Sequence, residues 1–97
     1  MNTIRRPRFR GSPVDVVVDV RSRLEYWTGH LPGAICVPVD RLPDGIADKG
    51  VSTTSRILVY CAGGARSATA AAQLCAAGYK NVVDGGGISA ARDDFAP

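Results

Sequence analysis

Cys61-Ala62-Gly63-Gly64-Ala65-Arg66-Ser67 is the stretch of this 97-residue chain whose residue types and spacing point to chemistry. It follows the large apolar run Ile57-Leu58-Val59-Tyr60 and precedes an alanine-rich segment, so a strand leads through a glycine-rich turn into a helix. In open α/β sheets that arrangement binds anions at the carboxyl end of a strand, because a helix start presents N–H groups without intrahelical partners. Here the turn opens with a cysteine. Gly63 and Gly64 tolerate positive φ and place no side chain between the backbone N–H groups and an anion, so the loop can curl around the Cys61 sulfur. The helix N-terminus carries about half a positive charge and Arg66 a full one, and both favour a thiolate over the thiol's ordinary pKa of roughly 8.5. Cys61 is therefore expected to be a nucleophile at neutral pH rather than a buried structural thiol.

The elements that must position this loop follow from the pattern on either side. Val14-Asp15-Val16-Val17-Val18-Asp19-Val20 is a β-branched run bounded by Pro13 and Arg21, the form of a strand buried on both faces of a parallel sheet. Ser22 to Thr28 is predicted as a short helix with Ser22 as its N-cap and Leu24 and Trp27 on one face. Leu31-Pro32-Gly33 is a turn, Ala34 to Val37 a second strand stopped by Pro38, and Asp40 to Lys49 an irregular helical turn. Arg56 to Tyr60 is the strand before the loop. The helix after it is predicted over Ser67 to Ala77, closed by Gly78. Val82-Val83 reads as a further strand, followed by Asp84-Gly85-Gly86-Gly87 and a final helix around Ile88 to Arg92. Alternating strand and helix predicts an α/β fold on a small, mostly parallel central sheet.

In order and spacing these motifs resemble the rhodanese-like sulfurtransferase family. Asp19-Val20-Arg21, Glu25-Tyr26 and Gly29-His30-Leu31-Pro32-Gly33-Ala34-Ile35 match its strand end, its glutamate and its Gly-His-Ile-Pro-Gly-Ala segment. Cys61 to Arg66-Ser67 matches its active-site loop, and Gly86-Gly87 its glycine pair before the last helix. The resemblance implies a central sheet with helices on both faces. It implies that Cys61 takes sulfane sulfur from a donor as a persulfide and passes it to a thiol or cyanide acceptor. In that scheme the N–H groups of Ala62, Gly63, Gly64, Ala65 and Arg66 form the cradle. Arg66 attracts an anionic donor and steadies the persulfide, its plainer alternative being to cap loop carbonyls or pair with a carboxylate, and Ser67 is either a helix cap or a further donor to the sulfur. No metal or organic cofactor is implied. The four residues between Cys61 and Arg66 carry no charge, whereas efficient thiosulfate users of the family add a basic residue there, so a small-molecule or protein persulfide is the expected donor. The same four-residue spacing argues against a cysteine-dependent phosphatase, whose five-residue loop surrounds a tetrahedral phosphate. A rhodanese-fold binding or redox-sensing module without turnover is the rival from another class.

Other notable residues have plainer expected roles. Asp19, Arg21, Glu25 and His30 are read as structural, an ion pair or hydrogen-bonded corner bracing the neighbouring loop. A lone histidine without a second base is weak ground for acid–base catalysis. Cys36 and Cys75 are read as small core residues. The Gly85 to Gly87 run is read as a turn beneath the active-site loop.

Length and composition bound the rest. Ninety-seven residues, 45% hydrophobic, fit one domain with one site. The formal charge of +3 comes from Arg5, Arg6, Arg8 and Arg10; without them eight basic residues face nine acidic. Residues 1–13 are therefore read as a flexible arginine-rich arm and 14–97 as the domain. Nucleic-acid binding is not expected, since only Phe9 accompanies those arginines as a stacking surface. Three cysteines without a CxxC pair suit a reducing compartment. With no apolar run of about 20 residues and no signal-peptide core, a cytoplasmic monomer away from membranes is expected.

Overall fold

The computed structural model describes residues 6–97. In chain order the elements are β1 (Arg8–Phe9), β2 (Ser12–Pro13), β3 (Val16–Asp19), α1 (Arg23–Trp27), β4 (Ile35–Cys36), a 3₁₀ turn at Val39–Arg41, α2 (Asp44–Asp48), β5 (Arg56–Cys61), α3 (Ala65–Ala76), β6 (Asn81–Gly87), α4 (Ile88–Asp94) and β7 (Phe95–Ala96). Four strands form a parallel sheet in the order β4-β3-β5-β6. Its register places Val16 beside Ile57 and Asp19 beside Tyr60, so Asp19, Cys61 and Gly87 all lie at strand carboxyl ends.

Alternation along the strands divides the core. Val18, Val20, Ile57, Val59 and Cys61 pack on one face with Ile46 of α2 and Ala70 and Leu74 of α3. Val17, Leu58 and Tyr60 pack on the other with Phe9, Leu31 and Ala91, and with Tyr26 of α1. A strand's side chains point to opposite faces in turn, so a run buried throughout needs cover on both sides. The two sets of helices supply that cover, as the α/β expectation requires. No helix among the described residues is long and apolar enough to cross a membrane.

Three sequence expectations change. The arm preceding Val14 is not free along its length. Residues 1–5 lie outside the described part, but β1 pairs antiparallel with β2 and with β7, and Phe9 is buried. Burying a phenylalanine stabilises by about 2 kcal/mol, enough to hold a two-residue strand whose own ladder is too short to persist. The chain's first strands thus close over its last helix.

The second change concerns Cys75, which is exposed rather than part of the core. The buried stripe of α3 runs Ser67, Ala70, Leu74, and Cys75 sits about 100° round the axis from Leu74. Cys36 is only half-buried, at the end of a two-residue strand. The third is α3 itself, which begins two residues before the predicted Ser67. Leu24 and Trp27 share a face as their spacing predicts, but that face meets solvent, at 75% and 82% exposed. Tyr26 instead carries the packing of α1, its hydroxyl donating to the Ala34 carbonyl at 2.6 Å.

Candidate active site

The loop after β5 is tight because of two glycines. Gly64 adopts φ +106°, a left-handed conformation that L side chains rarely take, and this turns the chain directly into α3. The helix therefore starts at Ala65, and Arg66 and Ser67 fall in its first turn. Beneath the loop, β6 carries one extra residue between its pairings Val59 with Asp84 and Cys61 with Gly87. A Cβ at Gly87 would lie 2.6 Å from the Ala62 carbonyl oxygen, so only glycine lets strand and loop approach this closely. The Gly85 to Gly87 run is thus the bulged end of β6 supporting the loop, not a separate turn.

Cys61 is buried at the floor of this loop, 1% exposed, and its Sγ accepts the Gly64 N–H at 2.9 Å. Burial alone pushes the thiol pKa up. Hydrogen bonds from the Ser67 N–H and hydroxyl and from the Gly64 and Arg66 N–H groups outweigh it, and the result is a lowered pKa. These are the unpaired donors of a helix start converging on one atom. The Ser67 hydroxyl, buried with its residue, donates to the Gly64 carbonyl at 3.0 Å; its one proton thus has two acceptors to choose between, this carbonyl and the sulfur. The N-cap of α3 is Gly64, so Ser67, in the first turn, is not the helix cap that the sequence allowed; its hydroxyl is placed between the Gly64 carbonyl and the sulfur instead.

Arg66 takes the plainer of its two expected arrangements. Its guanidinium, instead of facing an incoming anion unpartnered, forms a two-pronged pair with Glu25: Nη1 to Oε1 at 2.7 Å and Nη2 to Oε2 at 3.0 Å. Glu25 is thereby held well below the ordinary carboxylate range, at about 2, chiefly by Arg66. Arg66 serves the Cys61 sulfur through its backbone N–H, while its guanidinium is paired with the carboxylate.

Glu25 was expected to brace a loop, and it does so on Arg66 itself. The contact was not read from the sequence, although a local signal existed. Ser22 and Glu25 form a capping box, in which the Glu25 N–H donates to Ser22 Oγ at 3.2 Å and the Ser22 N–H donates to Glu25 Oε1 at 3.2 Å. That box fixes the carboxylate's direction.

Asp19 and Arg21 form the second pair, and it is buried. Arg21 donates from its backbone N and Nε to Asp19 Oδ1 at 2.9 and 3.0 Å and from Nη2 to Oδ2 at 2.7 Å. Arg21 also donates to the Gly29 carbonyl, tying the end of β3 to the turn after α1. His30 stacks on Tyr26 with ring centroids 3.7 Å apart, and its Nδ1 lies 2.9 Å from the Tyr26 carbonyl. A carbonyl only accepts, so Nδ1 carries the proton, and the ring braces the turn. Tyr60, its hydroxyl accepting the Leu31 N–H at 3.0 Å, holds the same turn from below. Asp19, Arg21 and His30 are thus held in contacts that brace the turn after α1.

A cavity of about 350 Å³ opens at the end of β4, between Cys36, Pro38, Arg41, Leu42 and Lys49. Cys61 is not in its walls. Burial raises the Cys36 pKa, which keeps that thiol protonated and unreactive near neutrality.

A family model described as the rhodanese-like domain matches residues 5–91. A tRNA uridine(34) hydroxylase from Pectobacterium carotovorum is 38% identical over 86 residues, 82% of this chain and 24% of that protein. The chain thus spans about a quarter of the length of such curated relatives. The structure of a rhodanese with anions from E. coli aligns with TM-score 0.74 at 31% identity, covering 77% of this chain and 88% of that one. A human single-domain sulfurtransferase aligns with TM-score 0.61 at 25% identity, covering 69% of this chain and 70% of that one. With a model match over nearly its whole length and the cysteine loop seated at the end of β5, the chain belongs to the rhodanese-like domain family.

Proposed function

We propose that this domain is a sulfurtransferase working through a persulfide on Cys61. The Cys61 thiolate attacks the outer sulfur of a donor; the bond between the donor's two sulfurs breaks, and its electron pair leaves with the carrier, as sulfite from thiosulfate or as a thiolate from a hydropersulfide. A nucleophilic acceptor, cyanide or a thiol, then attacks the outer sulfur of the Cys61 persulfide and returns the thiolate. The loop N–H groups hold the negative charge wherever it sits, on Cys61 before transfer and on the persulfide after it. Ala62, Gly63, Gly64, Ala65 and Ser67 are the residues that would touch the transferred sulfur.

The observation that carries this reading is the Gly64 N–H donated to a buried thiol at 2.9 Å, in a loop with four residues between Cys61 and Arg66. The relatives named tRNA uridine(34) hydroxylase contain the shared stretch within longer chains, and only its thiol chemistry is extended to this one. A small sulfur compound or a persulfide-carrying protein would serve as donor, in a reducing, cytoplasmic setting that keeps Cys61 available.

The test is direct. Incubation with a sulfane donor is expected to add one sulfur to the peptide containing Cys61, seen by mass spectrometry, and cyanide is expected to remove it as thiocyanate. Cys61→Ser should lose both. Equal behaviour of the two proteins across several donors overturns the reading in favour of a binding or redox module. Release of phosphate from an aryl phosphate, with no persulfide formed, would favour the phosphatase.

A further inference from the structure

Glu25 lies at the meeting point of two structures, the capping box of α1 and the catalytic loop. Its Oε1 receives the Ser22 N–H, the Ser22 hydroxyl and Arg66 Nη1 at 3.2, 3.0 and 2.7 Å, and its Oε2 receives Arg66 Nη2. All four donors are in place before any substrate arrives, so the carboxylate is fixed rather than swinging in water. The four loop residues between Cys61 and Arg66 carry no charge. The other arginine close by, Arg21, is committed to Asp19. Among the described side chains, the charged pair bonded beside this loop is Glu25 with Arg66, and its two charges cancel, leaving the backbone N–H groups to meet an approaching anion.

We propose that Glu25 is the specificity-determining residue of the site, selecting against small dianionic donors such as thiosulfate and for hydropersulfides by cancelling the charge of Arg66. A dianion reaching Cys61 must either draw Arg66 away from a carboxylate that four hydrogen bonds hold or approach without a counter-charge. A hydropersulfide, reacting as its neutral S–H form, needs neither. The donor preference rests on the sulfur-transfer reading, whereas the exclusion of anions from Cys61 does not.

Two measurements separate them. The first compares alkylation of Cys61 by iodoacetate and by iodoacetamide, followed on the Cys61 peptide. The reagents are similar in size and differ in one negative charge, so their rate ratio cancels both thiolate content and access to the buried sulfur. Glu25→Gln keeps a capping-box residue at the third helical position and frees Arg66. It is expected to raise the iodoacetate-to-iodoacetamide ratio about threefold to tenfold. The double variant Glu25→Gln with Arg66→Ala should fall back to the ratio of Arg66→Ala alone. An unchanged ratio in Glu25→Gln, or a gain that survives loss of Arg66, overturns the proposal, because a merely structural Glu25 would act on both reagents alike.

The second measurement is KM for thiosulfate against KM for a neutral alkyl hydropersulfide. Glu25→Gln is expected to lower the first about tenfold and move the second less than about twofold. Equal changes for the two donors overturn the assigned selectivity while leaving sulfur transfer intact. If no donor places sulfur on Cys61 in either protein, the sulfurtransferase reading fails and the donor preference with it, and the alkylation ratio alone decides whether Glu25 screens anions.

Discussion

Two arginine–carboxylate pairs stand at the carboxyl end of the central sheet, and they differ in how much water sees them. Asp19 and Arg21 have side chains 0% and 7% exposed; Glu25 and Arg66 have 36% and 38%. In the first pair each partner is the other's main compensation for having left water, and with the Arg21 bond to the Gly29 carbonyl it acts as a fixed joint between β3 and the turn after α1. In the second, both partners keep one side open to water, so the pair adds little to stability even though four hydrogen bonds hold the carboxylate in place. Similar chemistry at similar distances thus gives a structural brace in one place and a water-facing electrostatic pair in the other. Burial decides which.

The largest expected difference between the pairs is in stability. Asp19→Ala leaves Arg21 buried without its carboxylate and is expected to cost about 3–5 kcal/mol in urea unfolding. Arg66→Ala, leaving a half-exposed carboxylate that still caps α1, is expected to cost less than about 1 kcal/mol. Equal losses would erase the distinction.

A smaller effect sharpens it through pH. Glu25 is held at about 2 against an ordinary value of 4.5, a folded-state value below the unfolded one. Its contribution is therefore present in full above pH 4.5 and lost as pH falls from there towards 2. The stability gap between wild type and Arg66→Ala should be flat above that window and shrink within it. A gap that stays constant down to pH 2 would mean that the ion pair does not form in solution.

The smallest effect concerns the thiol. The Cys61 pKa is lowered by hydrogen bonds against burial, and Ser67 supplies two of them. Ser67→Ala is expected to raise the midpoint of iodoacetamide alkylation at Cys61. Arg66→Ala keeps the backbone N–H and should raise it less, because the charge of Arg66 is already answered by Glu25. A larger shift from Arg66→Ala than from Ser67→Ala would show that the Arg66 charge reaches the sulfur after all.

The parts of this site that a reader of the chain can find are local ones. Cys61, the glycines after it and the helix beyond them are contiguous, and each is specified by a short-range property: apolar β-branched residues before the turn, φ freedom within it, alanine after it. Asp19 and Arg21 are two residues apart and legible as a strand-end pair. The start of α3 lies two residues before the one that the sequence predicts, because alanine and arginine in a loop look the same as in a first helical turn until Gly64 takes its left-handed conformation.

What the sequence by itself determined is the place of Cys61 at a strand end, the strand-turn-helix that surrounds it and the alternation that makes the sheet parallel. These depend on residues a few positions apart, whose backbone preferences act before any distant contact forms. Only the tertiary structure decided that Glu25 meets Arg66, 41 positions away, that Phe9 closes the opposite face through a strand paired with Phe95, and that Cys75 turns outward. Those outcomes depend on strand order and on the rotation of each helix about its axis, and both are fixed by packing summed over the whole core, which no short window of residues contains.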